Sequence, residues 1–117
     1  MFARLMGLST ISPRELHTAI QNNTHDTSLK IVDVNARQSW LKARVPGAFN
    51  IDPTHYTEND LAGDSNAMLV FYCSNPMCRK APLAARRAKA LGYRNVHVMS
   101  AGISGWLSAK LPVESGE

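Results

Sequence analysis

The sequence is short of cysteines, aromatics and long apolar runs, and each shortage closes off a class of protein. Two cysteines in 117 residues cannot staple a disulfide-dense secreted scaffold. A zinc site built on them would need two more ligands from His17, His25, His55 and His97, and none of these pairs at a ligand-like spacing. The longest apolar run, the seven residues from Ala67 to Cys73, falls far below the ~18 needed for a membrane helix, so no membrane contact is expected. Three Phe, three Tyr and two Trp do not interleave with the basic residues as a stacking surface requires, which argues against nucleic acid as a partner. Met1 to Leu8 carries one Arg, a broken apolar stretch and no small-residue cleavage site, and so reads as part of the mature domain of a cytoplasmic protein. Low-complexity segments, internal repeats and long Pro/Gly-rich linkers are also missing, which predicts one domain over residues 1–117.

What is present is an ordinary globular composition, 44% apolar and 19% charged, long enough to bury about two-thirds of the unfolded chain's surface. The formal charge of +4 is unevenly placed. Arg79, Lys80, Arg86, Arg87, Lys89 and Arg94 follow one another with no acid between them, whereas Val45 to Cys78 holds four acids and no Lys or Arg. Such a basic run either solvates the outer face of a helix or supplies a positive field for a small anion.

Helix and strand signals alternate along the chain. Ser12-Pro13-Arg14-Glu15 is a helix start with a capping residue, Pro at the first helical position and Glu three after the cap, and the helix is expected to reach Asn22. A buried strand at Leu29 to Val34, a short helix at Arg37 to Lys42 and a turn at Val45-Pro46-Gly47-Ala48 follow. Asp52 to Asn66 reads as an irregular polar excursion with a short helical piece. Ala67 to Tyr72 is a continuous apolar run suited to a central parallel strand, and Lys80 to Leu91 a helix with a narrow face of small residues, stopped by Gly92. Asn95 to Met99 and Gly102 to Ala109 give a last strand and helix. The alternation predicts an α/β domain whose central, mainly parallel sheet is flanked by helices on both faces.

In such a sheet ligands bind beyond the carboxyl ends of the strands, where Cys73-Ser74-Asn75-Pro76-Met77-Cys78-Arg79-Lys80 stands. A cysteine there, followed by five residues and an arginine that opens a helix, can be wrapped by backbone N–H groups. The helix dipole and Arg79 would favour its thiolate and any anion it meets, which makes Cys73 a candidate nucleophile and Ser74 to Cys78 a candidate amide cradle. The competing reading is a small buried hydrophobe at a strand end.

Four stretches in this order resemble the single-domain rhodanese family over nearly the whole chain. Ile31-Val32-Asp33-Val34 with Val45-Pro46-Gly47-Ala48-Phe49-Asn50-Ile51 is similar to the family's first signature, and Phe71-Tyr72-Cys73 to its strand and nucleophile. Ala84-Ala85 with Leu91-Gly92-Tyr93 resembles the following helix and its exit, and Ala101-Gly102-Ile103-Ser104-Gly105-Trp106 the segment before Leu111-Pro112-Val113. The resemblance implies sulfur transfer: Cys73 takes the outer sulfur of an anionic donor such as thiosulfate as a persulfide and passes it to a thiophilic acceptor, cyanide in an assay or a thiol or protein in the cell. Arg79 would bind the anion together with Ser74, Asn75, Pro76, Met77 and Cys78. No metal or organic cofactor is implied, and members are monomers or homodimers.

The chain also departs from that family. Cys78 stands where many members have the loop arginine, and Arg79 comes one place later, giving the Cys-x5-Arg length of rhodanese-fold phosphatases and arsenate reductases. Tyr72 and Lys80 differ from the His before the cysteine and the Ser or Thr after the arginine that often mark those enzymes. An oxyanion enzyme is therefore the rival, with a sulfur carrier or docking module on the basic helix as a non-enzymatic alternative. Cys78 is either a plain loop residue or a partner for a disulfide with Cys73, if their Cα atoms come within ~7 Å. Asp33 could orient the active loop or the Pro46 turn, or simply cap its strand. Asn35 replaces the family's common arginine, which removes an ion pair. His55 and Tyr56 read as surface or packing residues, and Trp40 and Trp106 as core anchors.

Overall fold

The computed structural model describes residues 2–22, 28–61 and 65–117, so His25 lies outside the described residues. In chain order it contains α1 (Phe2–Leu5), β1 (Ser9–Thr10), α2 (Pro13–Asn22), β2 (Leu29–Asp33), α3 (Arg37–Lys42), β3 (Phe49–Asn50), α4 (Glu58–Leu61), β4 (Met68–Tyr72), α5 (Lys80–Ala90), β5 (Asn95–Val98) and α6 (Gly102–Ser108). The five strands form one sheet in the order β1-β5-β4-β2-β3, and every pairing is parallel. An isolated antiparallel bridge ties Arg44 to Glu114 beyond the sheet.

Alternation along the strands builds two cores. Val32, Leu69, Phe71, Val96 and Val98 point to one face, where they meet Ala81, Ala84, Ala85 and Ala88 of α5, with Tyr56 and Leu61 beside them. Ile31, Val70 and Tyr72 point to the other, against Leu16 of α2 and Trp106 of α6. Alanines let the α5 backbone approach the sheet closely, which explains the small-residue face seen in the sequence.

The local signals act as the sequence suggests. Ser12 and Glu15 form a reciprocal capping box: the Glu15 N–H donates to Ser12 Oγ at 3.1 Å and the Ser12 N–H to Glu15 Oε1 at 2.9 Å. Helix α5 ends in a Schellman motif, with Tyr93 N–H on Ala88 O and Gly92 N–H on Lys89 O, and Gly92 at φ 108°. Two edge strands and α1 escape the sequence reading. At two residues each, β1 and β3 are too short to show a period and exist through their pairing with β5 and β2.

Candidate active site

Cys73 follows the central strand β4 directly and is 3% exposed. Its loop turns at once into α5, an eleven-residue helix with Arg79 at its N-cap. No side chain caps that helix and no acid lies in its first turn, while Arg79 and Lys80 add positive charge to the positive end of the dipole. Cations there oppose the helix dipole, so an anion beside this end relieves an unfavourable arrangement.

The loop is held from both sides. On one, α6 supplies Ile103 N–H to Cys73 O at 2.9 Å and Ser104 N–H to Ser74 O at 3.0 Å. Gly102 makes this approach possible: at φ 68°, a Cβ on it would lie 2.5 Å from the Ser74 carbonyl carbon. On the other side, the Ser74 hydroxyl donates to Asn35 Oδ1 at 2.8 Å. The Asn35 N–H in turn donates to Asp33 Oδ1 at 2.8 Å, and Asn50 Nδ2 donates to the carbonyls of Asp33 and Asn35.

Asp33 sits at the centre of this network and is fully buried. Its Oδ2 accepts the Tyr72 hydroxyl at 2.7 Å, and Tyr72 Oη accepts the Val45 N–H at 3.1 Å. Burial pushes the Asp33 carboxyl above its usual value, against the lowering by the Tyr72 and Asn35 bonds and the Arg44 charge. Burial also pushes the Tyr72 phenol up, helped by the negative charge of Asp33. Asp33 thus caps its own strand end through the Asn35 N–H and, through Tyr72, ties in the Pro46 turn, while Asn35 continues the network to Ser74. Asn35 carries no ion pair but keeps a role that the sequence reading missed, as the acceptor that fixes Ser74.

Cys73 and Cys78 are disulfide-bonded, with Cα atoms 6.4 Å apart. Asn75 organises the turn between them: its Oδ1 accepts the Met77 N–H at 2.9 Å and its O accepts the Cys78 N–H at 3.1 Å. Pro76 has no N–H. In the disulfide-closed loop the cradle expected from Ser74 to Cys78 is therefore narrowed to at most the N–H groups of Ser74 and Asn75. Met77 points outward at 66% exposure.

A small space borders the loop, and a larger one lies beside the first residue of α5. A small cavity of about 10 Å³ is lined by both cysteines, Ala81, Met99 and Ser100, and the Ser100 Oγ is buried without a hydrogen-bond partner. Ser100 had no signal in the sequence beyond its place just after β5. A larger opening of about 400 Å³ lies on the other side, among Asn35, Arg37, Asn50, Asp52, Thr54 and Lys80.

The remaining candidates lie away from the sulfurs. Tyr56 is core: its hydroxyl donates to Ala84 O, and burial pushes its phenol up to about 12. His55 is exposed. Trp106 is a core anchor as expected, its indole N–H on Pro112 O at 2.8 Å, but Trp40 lies outside both cores, half-buried under the Arg44 guanidinium with its N–H on Ala48 O at 3.0 Å. Within the basic run, Arg87 is tied down, with Nε on Tyr56 O at 3.0 Å and its guanidinium over the Tyr56 ring. Among the described residues no cluster of His, Cys, Asp or Glu could hold a metal ion, and no helix is long and apolar enough to cross a membrane.

The sequence matches the family model described as Rhodanese-like domain over residues 12–109. The chain belongs to the rhodanese-like domain family. Among curated proteins none matches the chain in sequence. Among solved structures, the BH2092 protein of Bacillus halodurans superposes with a TM-score of 0.81 at 21% identity, covering 97% of this chain and 83% of its own. A Rhodopseudomonas palustris protein described as a possible tyrosine phosphatase gives 0.74 at 22% identity, covering 96% and 88%. Thiosulfate sulfurtransferase from Pseudomonas aeruginosa gives 0.78 at 25% identity, covering 94% of this chain but 20% of that one. These likenesses show a shared fold.

Proposed function

We propose that the protein is a sulfurtransferase that carries sulfane sulfur on Cys73. The observation that carries this reading is the placement of Cys73, buried at the end of the central strand and one turn of loop away from an uncapped helix N-terminus bearing Arg79 and Lys80. The Cys73 thiolate of the reduced protein attacks the outer sulfur of thiosulfate, the S–S bond of the donor breaks, and sulfite leaves with the bonding pair. A persulfide anion results. The dipole and charges that favour the thiolate also favour this product, while α6 and Asn35 keep the loop from shifting as the charge moves outward. Arg79 and Lys80 draw the dianionic donor toward the loop.

The test is intact-protein mass after the reduced protein meets thiosulfate, read on Cys78→Ser, in which no second thiol can discharge the sulfur. A gain of one sulfur atom that requires Cys73 and disappears on adding cyanide supports the reading. No adduct on fully reduced protein overturns it and directs attention to arsenate and aryl phosphates as substrates. If those too are untouched, a docking role for the basic helix is the better account.

A further inference from the structure

We infer that Cys78 discharges the Cys73 persulfide within the protein, so that the sulfur leaves as hydrosulfide and the loop closes as the Cys73–Cys78 disulfide. This inference rests on the sulfur-transfer reading of Cys73. The reaction balances as a thiol–persulfide exchange. Cys78 Sγ attacks Cys73 Sγ, the inner sulfur of the persulfide, and a Cys73–Cys78 bond forms as the bond to the outer sulfur breaks. The outer sulfur departs with the electron pair and takes up the Cys78 proton as HS⁻. The sulfane sulfur is reduced to sulfide, and the two cysteines are oxidised to a disulfide. An external dithiol then reduces that disulfide, itself becoming a disulfide, and returns both cysteines for another cycle.

Three observations carry the inference. First, the bond that this attack forms is the one the structure contains, across a Cα separation of 6.4 Å that lies within the ordinary range for a disulfide. The approach does not depend on the cysteines alone. The two Asn75 bonds to Met77 N–H and Cys78 N–H fold the loop back over Cys73, so a thiol at position 78 is delivered to the nucleophile.

Second, burial favours the internal thiol over an external one. Cys73 is 3% exposed, whereas Cys78 is only partly covered by the core it packs against. A bulk thiol must pass the loop to reach a persulfide on Cys73. Well-oriented intramolecular partners act at effective concentrations of roughly 10⁵ M or more, far above any free thiol. After closure the asymmetry reverses its effect: the external dithiol meets the more accessible Cys78 sulfur, and Cys73 is the leaving thiolate beside the positive end of α5.

Third, Ser100 lines the same small cavity as both cysteines, and its Oγ is buried without a hydrogen-bond partner. Its hydroxyl is thus an uncommitted donor on a residue that shares a space with the two sulfurs.

The experiment is a single turnover. Protein is fully reduced, freed of reductant and mixed with thiosulfate, and sulfide and intact mass are read together for the wild type, Cys78→Ser and Cys78→Ala. The wild type is expected to release one sulfide per chain and end two hydrogen atoms lighter, while both variants keep an added sulfur atom and release no sulfide until a thiol is supplied. Added dithiol is expected to give repeated turnover in all three proteins, fastest in the wild type, where Cys78 discharges the persulfide from within. A wild-type chain that keeps its added sulfur, on Cys73 or moved to Cys78, overturns the inference, as does equal sulfide release from the variants. Sulfur retained by the variants in that case leaves the transfer reading standing, and sulfur absent from all three proteins removes both.

Discussion

Tyr72 and Asp33 share a fully buried hydrogen bond of 2.7 Å, one residue before Cys73. The same phenol oxygen accepts the Val45 N–H at 3.1 Å, so a single side chain joins the Pro46 turn to the strand end that leads into the loop. Replacing Tyr72 by Phe leaves the Asp33 Oδ2 and the Val45 N–H without this partner in the interior. Each stranded group costs about 1–3 kcal/mol, so Tyr72→Phe is expected to lose on the order of 2–4 kcal/mol in urea unfolding. A loss below the size of one ordinary hydrogen bond would show that water or Arg44 replaces the phenol.

The buried carboxylate makes stability depend on pH in a definite direction. Burial is the largest influence on Asp33 and raises its folded-state value above 3.8. The folded protein therefore binds the proton more tightly than the unfolded chain. The resulting stability is fully present below the unfolded value and is lost as pH rises through the folded one. Comparing the wild type with Asp33→Asn, which does not titrate, removes the contribution of every other group. The wild-type stability relative to Asp33→Asn is expected to rise as pH falls from about 7 to about 4. A difference that is flat, or that shrinks toward acid, would contradict this.

How much of this was legible follows from how far each interaction reaches along the chain. The capping box needs only Ser12 and Glu15, and both the box and its helix were readable. So were the strand ending at Tyr72, the small face of α5, the stop at Gly92 and the position of Cys73, because each rests on a local pattern. Strands β1 and β3 were not, since two residues carry no period and tertiary pairing alone makes them strands. Asn35 acquires its task from Ser74, 39 residues away, and nothing near Asn35 announces it. The closeness of Cys78 to Cys73 lies between these cases. Its cause, an Asn75-Pro76 turn, is local, but the direction in which the loop folds is set by α6 holding Cys73 and Ser74 from outside.

The basic face of α5 divides into a structural and a free part. Arg87 bonds Tyr56 O and covers the Tyr56 ring, whereas Arg86 points to solvent from the next position. Arg87→Ala is expected to cost about 1 kcal/mol in thermal or urea unfolding, and Arg86→Ala less than about 0.5 kcal/mol. Docking experiments that use Arg87 would thus confuse a lost contact with a loosened segment around Tyr56. Arg86 and Lys89 are the cleaner positions, and a stability loss in Arg86→Ala equal to that in Arg87→Ala would remove this distinction.

Two glycines with positive φ separate backbone strain from collision at the active loop. Gly92 at φ 108° has open space where a Cβ would stand, whereas a Cβ on Gly102 at φ 68° would meet the backbone of Ser74 and Asn75 at 2.5 and 2.6 Å. Alanine is strained at both positions, by roughly 1 kcal/mol or more. Only at Gly102 must something move as well, and what moves is the segment immediately after Cys73, because α6 is pinned to it by the Ile103 and Ser104 N–H groups. Gly92→Ala is therefore expected to lower the melting temperature while leaving the rate of sulfur loading on Cys73 within about twofold of wild type. Gly102→Ala is expected to lower both, with loading slowed at least tenfold, since a shift of about 1 Å at a reacting group can cost a hundredfold in rate. Equal loading rates in the two variants, measured in a Cys78→Ser background by intact mass against time, would mean that the packing of α6 on the loop does not position the nucleophile.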